Sequence, residues 1–148
     1  MSTSEYLEKC EENYDADLRM LRSIMGPGHY HANIEPGTTV HHILSGLGYG
    51  DALLRAGGAE RRDRAEEVIA QVLTFQDSDP TSGTYGVWPI FREEPLDAMP
   101  IPDCNLADFG GSALVRIIRE TAMSCHRISC NAYANRSVTR RGGSIGAT

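Results

Sequence analysis

Apolar side chains recur at spacings of three and four in several blocks of the chain, the period of helices that bury one face. Leu7, Cys10, Tyr14, Leu18, Leu21 and Met25 draw the first stripe, which predicts a helix from about Ser4 to Met25. Ser2 and Glu5 precede it in capping-box spacing, acidic residues crowd its first half, and Arg19 and Arg22 sit near its end, as the helix dipole favours. Gly26-Pro27-Gly28 stops it. A second helix, capped by Thr38 or Thr39, is expected to run to about Ala56 on Val40, Ile43, Leu44, Leu47, Leu53 and Leu54. Gly46, Gly48 and Gly50 lower its helix propensity, so it reads as an inner helix closely approached by another backbone or a ligand.

Gly57-Gly58 turns the chain into a third helix, about Ala59 to Phe75, with Ala65, Val68, Ile69, Val72 and Leu73 on one side and charges on the other. A fourth helix is expected from near Asn105 to Ala107, with Phe109, Ala113, Leu114, Ile117 and Ile118 as its apolar side. A weaker fifth follows from about Thr121. Period-two alternation with β-branched residues is not visible, so the expected fold class is all-α. Polar-faced and glycine-rich helices alternate, and such antiparallel hairpins are the unit of an (α/α)6 toroid or a helical solenoid. The expectation is a partial toroid-like domain over residues 1–120, then a weak helix and disordered tail over 121–148.

Between the third and fourth helices lies Phe75 to Gly111, which holds five of the seven prolines and the only Trp, Trp88. Long structureless connections are uncommon in a compact domain and serve binding or are disordered. Tyr85, Trp88, Ile90, Phe91, Leu96, Met99 and Ile101 make this one too apolar for a solvated linker, so residues 76–104 read as an ordered cleft loop. If the alternation holds, it shares one face with the earlier loop over 26–38, which carries His29 and His31.

Composition narrows the partners. A net charge of −6 over 148 residues argues against nucleic acid and against an anionic membrane surface. The polar, acidic N-terminus lacks a signal-peptide pattern and no run is apolar enough to span a bilayer, so a cytoplasmic location is expected. Cys10, Cys104, Cys125 and Cys130 have no CxxC spacing and read as free thiols.

The candidate chemistry gathers in the two loops. Asp103 and Asp108 bracket the fourth helix start, where they either cap free N–H groups or serve as catalytic or sugar-binding carboxylates. Glu93 and Glu94 are alternative partners for a two-carboxylate mechanism, in which one carboxyl must be held protonated. Tyr85 and Trp88 suit a stacking platform or a loop anchor, and His31 and His41 could support a polar cleft. The histidines lack a proper metal-ligand set, and the glycines match no nucleotide-binding arrangement, so no metal or cofactor is expected.

His29-Tyr30-His31 with Pro36-Gly37, the Ala52-Leu-Leu-Arg-Ala-Gly-Gly turn and the stretch from Thr84 to Phe109 resemble an uncharacterised set of microbial six-hairpin, glycosidase-like toroid proteins. The resemblance covers roughly residues 10 to 120 and is most specific from Tyr85 to Phe109. It implies a carbohydrate-active, hydrolase- or lyase-like protein acting on a glycan or small molecule, with Asp103, Asp108 and Glu93 as catalytic carboxylates and Tyr85, Trp88, His31, His41 and Asn105 binding substrate. Cys104 and Leu106 stand where that family carries aromatics, and the family is several times longer, so this chain corresponds to its N-terminal part. Two other readings stand beside it. One is a non-catalytic accessory protein of a biosynthetic gene cluster that forms a homo-oligomer through exposed inner-helix surface. The other is a cavity for a terpenoid or other apolar molecule, as in cyclases and isomerases.

Overall fold

The capping box at the N-terminus forms as the sequence predicts. Ser2 Oγ accepts from the Glu5 main-chain N–H and the Glu5 carboxylate accepts from Ser2 N–H, which starts α1, Thr3–Glu12. The computed structural model describes residues 2–29 and 31–139, with side chains through residue 122. The elements that follow are β1 (Tyr14–Asp15), β2 (Met20–Ile24), β3 (Thr39–His41), α2 (Ser45–Ala56), α3 (Ala59–Leu73) and α4 (Asn105–Thr139).

The three strands form one antiparallel sheet in the order β1-β2-β3, which overturns the all-α expectation and the toroid of alternating helices with it. The reason lies in short polar side chains that bind their own backbone in competition with the helix ladder. Asn13 Nδ2 donates to Lys9 O at 2.8 Å and ends α1. Asp15 Oδ1 then accepts from the main-chain N–H of Asp17 and of Leu18, both at 3.1 Å, and Arg19 takes the left-handed φ of 55°. That turn reverses the chain and pairs Tyr14 with Leu21 and Asp15 with Met20. The apolar stripe read as one helix through Met25 is therefore a helix, a hairpin turn and a strand. At the second site, the β-branched run Thr38-Thr39-Val40 is extended, and β3 pairs with β2 in the register Arg22 to His41, Ser23 to Val40 and Ile24 to Thr39. Helix α2 consequently begins at Ser45 instead of Thr38 or Thr39.

The α2–α3 hairpin matches the sequence reading closely. Gly57 and Gly58 have φ of 74° and 95°, a turn that only glycine makes without strain. The small face of α2 admits α3. A Cβ on Gly46 would meet Val72 Cγ2 at 2.6 Å, and one on Gly50 would meet Ile69 Cγ1 at 2.8 Å. Tyr49, Leu53, Ala65, Val68 and Cys10 form the core of this helical region.

A second core joins the strands to the long loop. Met25, Ala32, Val40, Ile90, Phe91, Met99 and Leu106 pack together there. The loop is ordered by its own backbone: Asp77 N–H donates to Val87 O (2.9 Å) and Gly86 N–H to Asp77 O (2.8 Å). Beyond it, the chain lies along β3, with Arg92 N–H donating to His41 O and Ile43 N–H to Ile90 O, both at 3.0 Å. Contact density divides the chain into Met1–Leu114 and Val115–Thr148. The tail expected after residue 139 lies outside the described residues, as do the side chains of Cys125 and Cys130.

Candidate functional site

The pairing of β3 with residues 90–93 sets His41-His42 against Phe91-Arg92-Glu93-Glu94, and the unusual polar chemistry of the molecule is concentrated there. Strand geometry sends successive side chains to opposite faces, so the two histidines serve different surroundings. His41 Nδ1 lies 2.6 Å from Glu93 Oε1, and His41 main-chain N–H donates to Glu93 Oε2 at 2.9 Å. An ionised carboxylate can only accept, so Nδ1 carries the proton. The other ring nitrogen, Nε2, sits 3.6 Å from Asp15 Oδ2 on β1. One buried imidazole thus joins β3 to the long loop and lies near Asp15 of β1 without a hydrogen bond to it.

The carboxylates respond to this arrangement. Burial would raise the Glu93 carboxyl, but the hydrogen bonds from the His41 ring and main chain outweigh it and hold the group below its ordinary value. Asp15 is also lowered, first by the Leu18 N–H, with smaller contributions from Asp17 N–H, His41 and Arg22. Next in sequence, Glu94 is 6 % exposed; its Oε1 accepts from Asn33 N–H at 2.9 Å while its Oε2 has no partner. His42 stacks edge-on to Phe91 at 5.5 Å, and burial, then His29, pushes its pKa below the ordinary histidine value.

His42 also separates two recesses. One, of about 290 Å³, is lined by Tyr6, Lys9, Cys10, Asn13, Leu21, Arg22, Ser23, His42 and Ser45. The other, of about 340 Å³, is lined by residues 23–29 with Val40, His42 and Phe91. Ser23 and His42 belong to both, so the two recesses adjoin.

The structure distributes the sequence candidates over several places. Glu93 and His41 meet directly. His31 hydrogen-bonds through Nδ1 to Ile101 O at 3.1 Å, and His29 packs on Phe91, so the two loops do converge. Asp103 Oδ1 accepts from the main-chain N–H (3.1 Å) and side-chain amide (2.9 Å) of Asn105, which engages both residues at the start of α4. Asp108 is exposed in the first turn of that helix. Trp88 is 1 % exposed, donates from Nε1 to Val72 O at 2.9 Å and packs on Gly110, which makes it a core residue. Tyr85 is 60 % exposed. Asp15 was not singled out by sequence; its signal was the Asn13-x-Asp15-x-Asp17 spacing of turn-forming side chains. Among the described residues no group of three or more His, Cys, Asp or Glu is placed to hold a metal ion, and no helix is long and apolar enough to cross a membrane.

No family model, no curated protein and no solved structure matches this chain.

Proposed function

We propose that the chain binds a saccharide where His41-His42 lies against residues 91–94. One observation carries the reading. The buried side-chain nitrogens and oxygens left without a hydrogen-bond partner among the described residues are His41 Nε2, His42 Nδ1 and Glu94 Oε2, and all three belong to this pairing. Buried polar groups are ordinarily satisfied, and leaving one unsatisfied costs about 1–3 kcal/mol. A sugar hydroxyl donates and accepts, so it suits a carboxylate oxygen and a neutral imidazole nitrogen alike. Of these three residues only His42 lines the recesses, and Phe91 and Val40, which line one of them, supply apolar surface for the ring carbons.

The chemistry favours binding over hydrolysis. Glycoside cleavage requires one carboxyl held protonated beside an ionised one. At this site the two carboxyls beside His41, Asp15 and Glu93, are both displaced downward, toward the ionised form. Calorimetric titration with a panel of neutral mono- and disaccharides tests the proposal. Binding that weakens at least tenfold in His42→Ala supports it, and no heat with any saccharide sinks it.

A second reading, self-association without catalysis, is favoured by a different observation. Val115 and Ile118 on α4 stand three residues apart, on one helix face, and are 57 % and 65 % exposed. Light scattering distinguishes the cases: a dimer that becomes monomeric in Ile118→Glu supports this reading, and a monomer throughout contradicts it.

A further inference from the structure

The recess between α1 and β2 differs in charge from the rest of the chain. In a protein of net charge −6, its lining includes Lys9 and Arg22 and no carboxylate. Its remaining titratable groups carry no negative charge at neutral pH. Burial pushes the Tyr6 hydroxyl up to about 12 and raises the Cys10 thiol, so both stay protonated. Burial holds His42 toward its neutral form, which leaves the positive charge on Lys9 and Arg22; Asp15 acts on Arg22, Glu11 on Cys10 and Asp51 on Tyr6, but none of these carboxylates lines the recess. Hydroxyl groups are also at hand, from Ser23 and Ser45.

Resting on the saccharide reading above, we infer that the ligand is an acidic sugar whose carboxylate is taken up beside Lys9 and Arg22 while its ring lies across His42. The adjoining recess, which carries Val40 and Phe91 in its lining and neither Lys9 nor Arg22, receives the ring carbons. Specificity for the acid then comes from two exposed cations, each worth a modest charge-assisted contact. Together they amount to about a tenfold preference for the acid over an uncharged analogue.

The test compares glucuronate, its methyl ester and glucose, titrated into the full chain and into Lys9→Gln/Arg22→Gln. Both substituted side chains are exposed, so the double variant is expected to fold, and circular dichroism checks that it does. The inference predicts that glucuronate binds about tenfold more tightly than the ester and that this preference disappears in the double variant. Equal affinity for acid and ester overturns the inference and leaves the saccharide reading intact. Binding of acetate as tight as that of glucuronate also overturns it, because the recess would then read charge without a sugar ring. If none of the three sugars binds, both the inference and the reading beneath it fail.

Discussion

The helical region around α2 and α3 and the strand region around β3 solve the same packing problem with different completeness. In the first, glycines on α2 meet valine and isoleucine side chains on α3, and the polar side chains are matched. Tyr49, fully buried, donates to Glu11 Oε1 at 2.5 Å, and Arg64 donates to Glu11 Oε2 at 3.0 Å while lying over the Tyr14 ring. In the second region, two histidines and a buried glutamate are brought together and three of their atoms are left without partners. A region whose polar groups satisfy one another offers a ligand no buried partner, whereas the buried polar atoms to spare at His41, His42 and Glu94 are what the proposed site rests on. The difference between the two regions is the reason for placing the binding site at His42 and not at the glycine-rich helix.

Trp88 links the two regions, and its removal is expected to have the largest effect. Trp88→Ala deletes a buried indole, its hydrogen bond to Val72 O and its packing on Gly110. A loss of about 3–5 kcal/mol is expected in urea denaturation. Saccharide binding should survive at low temperature wherever the fold survives, since the indole does not line either recess.

Gly46→Ala tests the tightness of the helical region. The new Cβ would stand 2.6 Å from Val72 Cγ2, and overpacking of this kind costs about 1–3 kcal/mol. Gly111→Ala is the control, because a Cβ there meets nothing within 4 Å and lies on helix α4. It should leave stability unchanged or raise it by up to about 1 kcal/mol.

The strand region should reveal itself through pH. Glu93 is lowered in the folded state, so its contribution to stability is present above the unfolded carboxylate pKa of about 4.3 and is lost as pH falls through the lower folded value. Glu93→Gln is expected to flatten the loss of stability below about pH 4 in acid titrations followed by circular dichroism. His42 gives a smaller effect at higher pH. Its folded pKa is depressed, so stability is full above the unfolded value of about 6.5 and falls as pH drops toward the folded value, with a slope of at most about 1.4 kcal/mol per pH unit. His42→Gln should remove that slope. If the slope persists in the variant, His42 is not held neutral by its surroundings.

The helical region was legible in the sequence because period, turn and small-residue pattern agree there. Gly57-Gly58 marks the turn, and the third helix is found at Ala59–Leu73, two residues short of the expected end. The sheet was hidden because Tyr14, Leu18, Leu21 and Met25 continue the spacing of a helix while Asn13, Asp15 and Asp17 break its hydrogen bonding. Local side-chain-to-backbone bonds won over periodicity. A similar limit applies to the site. Sequence placed Glu93 in the long loop but His41 at the start of a helix instead of on β3, and it could not show that Asp15 would face the same imidazole, since that contact exists only through the strand register.

The central claim is that a saccharide enters at His42 and leaves the helical region undisturbed. An ¹⁵N–¹H correlation spectrum recorded while glucose or glucuronate is added tests it most directly. The predicted result is shifts confined to Ser23, Val40, His42, Ser45 and residues 91–94, joined by Lys9 and Arg22 with glucuronate, with the amides of Ala65, Val68 and Val72 unmoved. Saturating shifts centred on α3, or none at these positions with either sugar, would contradict it.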